Sequence, residues 1–214
     1  MKNGNEDNED NEDNKENEET AIKVILLGES GVGKTSLINA SIGLDFDEKL
    51  SPTFSSSFVV KNFIKNNKKY ILNIWDTAGQ EMYRSLTKLF IKNTKIVIFV
   101  YGIDNKVSFE SLKSYWASLT KEVLGDEIIY GLIGNKSDLF LKEQVPDIDA
   151  SNYAKEIGAK FSLASAKTNK EGFSSFLEVL LDDYLEKKGE VIHSPSFELK
   201  KESYKRKNKL KCCQ

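Results

Sequence analysis

The residues with the sharpest chemistry are Gly28–Thr35, GESGVGKT, placed directly after the apolar run Ile22–Leu27. They complete the spacing GxxxxGK[ST] between an expected strand and an expected helix, the setting that a phosphate-cradling loop requires. Gly28 and Gly33 let the chain turn tightly. The backbone N–H groups of Glu29, Ser30, Gly31, Val32, Gly33, Lys34, Thr35 and Ser36 can then converge on phosphate oxygens. Lys34 can reach the β- and γ-phosphates as a point charge, and Thr35 can offer its hydroxyl to Mg²⁺. Ser30 and Gly31 are small and keep the space beside a γ-phosphate open.

Asp76 stands 41 residues beyond Thr35 and opens the segment Asp76-Thr77-Ala78-Gly79-Gln80. A carboxylate at that point can hold Mg²⁺ through a water, and Gly79 leaves its N–H free to approach the γ-phosphate. Gln80 can orient an attacking water, which is positioning rather than strong base chemistry. Further on come Asn135-Lys136-Ser137-Asp138 and Ser165-Ala166-Lys167. A fixed carboxylate such as Asp138 can accept from both N1–H and the 2-amino group of guanine. Adenine lacks both donors and would leave that carboxylate unpaired, at about 1–3 kcal/mol or more. The stem of Lys136 can lie over the base plane, and the Ala166 N–H can meet the guanine oxygen. The expected ligands are GTP and GDP with Mg²⁺, and the expected reaction is slow hydrolysis of GTP.

Six strands must carry these segments. Ile22–Leu27 reads as a buried strand, apolar except for Lys23, and Phe58–Ile64 and Tyr70–Trp75 are joined by the turn-like Lys65-Asn66-Asn67-Lys68. Ile96–Tyr101 is continuous and β-branched, as in a strand covered on both faces. Ile128–Ile133 and Ala159–Leu163 complete the set. Helical stretches are expected at 34–40, 80–92, 107–123, 149–157 and 171–187. In the last, Phe173, Phe176, Leu177, Leu180, Leu181 and Tyr184 repeat at helical spacing. The alternation predicts an α/β fold: a six-stranded, mostly parallel sheet with one antiparallel edge strand and helices on both faces.

Composition divides the chain into three. Residues 1–20 carry nine Asp/Glu against two Lys, and read as a disordered leader, solvated or serving as an acidic interaction arm. Residues 21–188 form the expected globular domain, nearly neutral, which offers no electrostatic footprint for nucleic acid. Residues 189–214 read as a flexible tail in which seven Lys/Arg face two Glu over 198–211. No apolar leader resembles a signal peptide, and no run reaches the length of a membrane span. The two cysteines, Cys212 and Cys213, exclude a disulfide framework and fit a reducing compartment.

Over 21–187 the sequence resembles the small Ras-like GTPases of the P-loop NTPase fold, and among them the Rab family. The resemblance rests on GESGVGKT, Thr53, WDTAGQE with Trp75 and Glu81, NKSD and SAK. No Rho-type insert follows NKSD, since 26 residues separate Asp138 from Ser165. It implies that Thr53 is the switch I threonine that ligands Mg²⁺ and senses the γ-phosphate, and that Phe46 packs edge-on to guanine. Residues 46–55 and 79–90 would be the two switches. Phe58, Trp75 and Phe90 would fall near the surface that effectors read, or serve as plain packing between the switches. Three positions depart from the family pattern: Pro52-Thr53-Phe54-Ser55 replaces Thr-Ile-Gly, Met82 replaces an arginine, and Gly102 stands where aspartate is common. LLGESGVGKTSL and the Ser85-Leu86 pair are similar to endosomal members.

The CCQ ending is similar to the doubly geranylgeranylated Rab terminus, whereas a solvated basic tail with two free thiols is the plain reading. Two lipids anchor where one is marginal, and the upstream lysines would favour an anionic leaflet. The resemblance implies a monomeric domain on the cytoplasmic face of an intracellular membrane, with a cytosolic inhibitor-bound pool. Its partners would be an exchange factor, a GTPase-activating protein, a GDP dissociation inhibitor, a Rab escort protein with geranylgeranyl transferase, and effectors. A membrane adaptor that binds GTP with negligible hydrolysis, and a Ras-like signalling GTPase, are the alternatives.

Overall fold

The computed structural model describes residues 20–53, 56–77, 84–125 and 127–190. Expectations for the leader, for Phe54 and Ser55, for Gly79, Gln80, Glu81 and Met82, and for Cys212 and Cys213 lie outside these residues. The elements run β1 (Thr20–Leu27), α1 (Lys34–Ser41), β2 (Ser57–Lys65), β3 (Lys68–Asp76), α2 (Arg84–Ile91) and β4 (Ile96–Gly102). There follow α3 (Lys106–Ser111), a π-helical turn (Leu112–Trp116), α4 (Ala117–Leu124), β5 (Ile129–Asn135) and a 3₁₀ turn (Ser137–Lys142). The last three are α5 (Asp147–Glu156), β6 (Ala159–Leu163) and α6 (Lys170–Lys187).

The six strands form one sheet in the order β2-β3-β1-β4-β5-β6, parallel except for the β2–β3 pair. The fold expectation holds, and strand boundaries move by one or two residues. Asn66 and Asn67, with φ of 49° and 60°, turn the hairpin between β2 and β3. Two consecutive residues in the left-handed region match the right-handed twist of the paired strands, and asparagine tolerates them.

β1 alternates between two cores. Ile22, Val24 and Leu26 pack with α1 and α6, where Leu177, Leu180 and Leu181 are fully buried. Ile25 and Leu27 pack on the opposite face with Phe99, Phe109 and Trp116 from β4, α3 and the π-helical turn. A fully buried side chain of this size contributes roughly 1.5–3 kcal/mol relative to exposure, so covering both faces is the main drive to this layering. Lys23, the one charge in β1, is accommodated at the sheet's side. Its Nζ donates to the carbonyls of Phe90 at 2.5 Å and Lys92 at 3.0 Å, and lies 4.7 Å from the Trp75 ring centre. It therefore caps the carbonyl end of α2 while its charge rests on an aromatic face.

The expected helix over 107–123 is interrupted by the π-helical turn. Trp116 at its end is buried, and the indole Nε1 donates to Glu29 Oε1 at 3.4 Å. Ser111 Oγ donates to the same carboxylate oxygen. Periodicity alone could not reveal the insertion, because a π turn keeps an apolar face and is set by what that face meets.

Candidate nucleotide site

The segments after β1, β3, β5 and β6 emerge at the carboxyl ends of those strands, and Phe46 and Thr53 join them from the loop between α1 and β2. The chain leaves β1 for β2 and β3 on one side and later crosses from β3 to β4 on the other, and ligands of open α/β sheets bind at such a reversal point. A cleft of about 540 Å³ opens there. Its lining includes Ser30, Gly31, Gly33, Lys34, Thr35 and Ser36 from the first loop, with Phe46, Thr53, Thr77, Asn135, Lys136, Asp138, Ala166 and Lys167.

The loop after β1 is shaped by two close approaches. A Cβ at Gly28 would stand 2.1 Å from the Val100 carbonyl of β4, and one at Gly33 would stand 2.3 Å from Asn135 Nδ2. Gly33 also takes φ 93° just before α1, a conformation that side chains resist. Lys34 opens α1 and is 5% exposed, with Nζ donating to the carbonyls of Gly28 at 2.8 Å and Glu29 at 2.9 Å. Burial pulls its pKa down to about 8, against the opposing pull of Asp76 and Glu29. An ammonium held this dry, on carbonyls alone, is poised for an anion.

Beside it three oxygens converge. Thr35 Oγ1 lies 2.7 Å from both Thr53 Oγ1 and Asp76 Oδ2, and Thr53 Oγ1 is 3.5 Å from Asp76 Oδ2. Burial raises the Asp76 pKa, and the hydroxyls of Thr35 and Thr53 and the charge of Lys34 partly offset it. Asp76 Oδ1 is buried without a hydrogen bond of good geometry among the described residues. One carboxylate with an unspent oxygen and two hydroxyls suits Mg²⁺, which takes few protein oxygens and leaves positions for phosphate and water.

Asn135 joins the two halves of the site. Its Nδ2 donates to the Val32 carbonyl at 2.8 Å, and its Oδ1 accepts from the Ala166 N–H at 3.4 Å. Asp138 accepts from Ser165 Oγ at 2.6 Å, and Ser165 Oγ in turn accepts the N–H groups of Lys167 at 3.3 Å and Thr168 at 3.1 Å. Ser165 is thus buried and orients Asp138 and its own loop rather than facing the cleft. Val32 is buried too, and the Glu29 side chain turns away onto Ser111 and Trp116, so neither side chain lines the cleft. Lys167 Nζ stands 5.7 Å from the Phe46 ring centre and pairs with Glu48 at 2.5 Å. Sequence reasoning missed Leu139 of the lining. It sits in no motif, and only the closing of the loops onto one another reveals it.

Outside the cleft, Phe58 is 53% exposed and stacks on Trp75 with ring centres 5.2 Å apart, and Phe90 lies 6.2 Å from Trp75. The three form one partly exposed aromatic strip rather than closed core. Among the described residues no helix is long and apolar enough to cross a membrane.

The Ras family model matches residues 23–184. The chain belongs to the Ras family. As a small GTPase of that family it binds GTP and GDP and hydrolyses GTP. It is similar to the "Ras-related protein Rab-21" of Geodia cydonium, 39% identical over 157 residues, 73% of this chain and 68% of that protein. The protein of that name from Dictyostelium discoideum is 38% identical over 174 residues, 81% of this chain and 82% of that one. The "Ras-related protein Rab-31" of Rattus norvegicus is 39% identical over 146 residues, 68% of this chain and 74% of that protein. The Rab expectation therefore holds at the level of kinship.

Replacing the Asn135 bridge should loosen both loops of this GTPase together. Asn135→Ala removes two buried hydrogen bonds worth about 1 kcal/mol each, so GDP should dissociate roughly tenfold to a hundredfold faster. Stopped-flow release of a fluorescent GDP analogue measures it, and an unchanged rate would remove the bridge from the account.

Proposed function

We propose that this GTPase is a Rab-type switch that binds its nucleotide with Mg²⁺ and acts in vesicle traffic on the cytoplasmic face of an intracellular membrane. The observation that carries the proposal is the meeting of Thr35, Thr53 and Asp76 beside the buried ammonium of Lys34. Thr53 comes from the loop between α1 and β2, so this meeting links an otherwise exposed segment to the phosphate end of the cleft. A γ-phosphate would hold Thr53 and the Gly79 region in place, and its loss would release them.

Within the site, Thr35, Thr53 and Asp76 are the residues that would hold Mg²⁺, which supplies divalent charge against the phosphate oxygens when bound. The loop N–H groups from Glu29 to Ser36 and the Lys34 ammonium bind and orient the β- and γ-phosphates. Gln80 orients the attacking water, and the N–H of Gly79 meets the γ-phosphate as charge develops there. Phe46 and the Lys136 stem enclose the base, Asp138 accepts from its two guanine donors, and Ala166 N–H meets its oxygen. The Phe58–Trp75–Phe90 strip is the surface for effectors. Exchange factor, GTPase-activating protein and GDP dissociation inhibitor act on the loops around Thr53 and Gly79. The Rab escort protein presents Cys212 and Cys213 to geranylgeranyl transferase. The likeness of the LLGESGVGKTSL segment to endosomal members supports an endosomal membrane.

Base discrimination should exceed about 100-fold for GDP over ADP, because adenine leaves Asp138 unpaired. Titration calorimetry on the magnesium-loaded protein measures it, and Asp138→Asn should shift preference toward xanthine nucleotides. Comparable affinities for GDP and ADP would end the assignment of Asp138.

Gln80→Leu should leave GTP binding nearly intact and slow the chemical step, since water positioning acts mainly in the transition state. Single-turnover phosphate release compares the two forms. Equal rates would take Gln80 out of the mechanism.

Intact-mass analysis of membrane-extracted protein should find two geranylgeranyl groups on the C-terminal peptide. The Cys212→Ser/Cys213→Ser form should be cytosolic and either single variant partly so, because one lipid binds only marginally. A peptide without prenyl mass would refute this anchor.

A further inference from the structure

Asp104 follows β4 in a turn that carries it behind the base end of the cleft. Its Oδ2 lies 3.5 Å from Lys136 Nζ, and the two side chains keep only 24% and 32% of their exposure. Its Oδ1 is buried and takes no hydrogen bond among the described residues. Lys136 is the cation that answers this carboxylate, and Lys136 itself lines the cleft from a left-handed backbone position, φ 64°.

Gly102 makes the arrangement possible. A Cβ there would stand 2.6 Å from Asp104 Oδ1 and 3.7 Å from Lys136 Nζ. Its φ is outside the left-handed region, so the glycine serves space and not conformation. The turn is held at both sides. Asn105 N–H donates to the Gly102 carbonyl at 2.9 Å, and Ile103 N–H donates to the Asn135 carbonyl at 3.0 Å, next to Lys136. Gly102 N–H donates to Ser108 Oγ at 3.1 Å, which ties the turn to α3.

We infer that Asp104 is a positioning residue that holds Lys136 extended along the base end of the nucleotide cleft, with Gly102 kept free of a side chain to admit its carboxylate. This rests on the proposed reading of Lys136 as a wall for the base. An untethered lysine surrenders its rotamer freedom each time a base docks. A lysine already held by a partly shielded carboxylate has surrendered it beforehand, which slows release of the nucleotide.

GDP release from the full-length, magnesium-loaded protein, followed with a fluorescent GDP analogue, tests the inference. Asp104→Ala and Gly102→Ala should each speed release about three- to fivefold, the upper range for a partly exposed ion pair. The double variant should be no faster than either single, because both remove one contact. Gly102→Asp/Asp104→Ala, which returns a carboxylate to the same spot from the other side, should restore slow release. Asp104→Asn keeps the shape and removes the charge. It should release GDP as fast as Asp104→Ala, and the acceleration by salt expected of the unaltered protein should be lost. Additive single variants, no rescue by the relocated carboxylate, or unchanged release in Asp104→Asn would each overturn the inference. Lys136→Ala separates the two readings. Faster release there, with Asp104 variants unaffected, overturns the positioning role alone, and unchanged release overturns the base wall on which it rests.

Discussion

The burial of a single ammonium organises this molecule. Lys34 is 5% exposed, and its charge rests on the carbonyls of Gly28 and Glu29 rather than on a carboxylate. A buried cation is costly unless its environment is nearly complete, and carbonyl dipoles complete it only in part. The loop must therefore wrap closely, which requires Gly28 to pass within contact of the β4 backbone and Gly33 to pass against Asn135. What remains uncompensated is an attraction for phosphate. The cost of burial in the protein becomes affinity in the complex.

The rest of the cleft depends on that wrapped loop through a few polar bridges. Asn135 holds the Val32 carbonyl on one side and the Ala166 N–H on the other, so the phosphate and base ends share one side chain. Ser165 fixes Asp138 in the same way, with its hydroxyl donating to the carboxylate and accepting two backbone N–H groups. These bridges lie at the ends of β5 and β6, and the two cores beneath them keep those ends in register. Precision at the site is thus inherited from apolar packing on both faces of the sheet. By contrast, the Thr35–Thr53–Asp76 meeting draws one member from a loop with little burial of its own. A contact of that kind can be made and released at small cost, as a switch requires.

The amino-acid sequence by itself determined the phosphate loop, the order of the six strands along the chain, the antiparallel β2–β3 hairpin and the carboxylate of Asp76 that closes β3. Each is written in local chemistry: glycine spacing, β-branched runs, an Asn-Asn turn, a carboxylate after an apolar strand. The three departures from the family pattern were legible too, yet their meaning was not. Gly102 reads in one dimension as a lost aspartate. Only the tertiary structure brings Asp104 to Lys136, at 3.5 Å across the gap between β4 and the loop after β5. The π-helical turn, the anchoring of Glu29 on Ser111 and Trp116, and the burial of Ser165 were likewise decided by tertiary structure. In each case the outcome depends on which surface a side chain meets after the helices close on the sheet. Such meetings join residues far apart in the chain, 103 positions for Asn135 and Val32 and 133 for Ser174 and Ser41, and no local pattern encodes them.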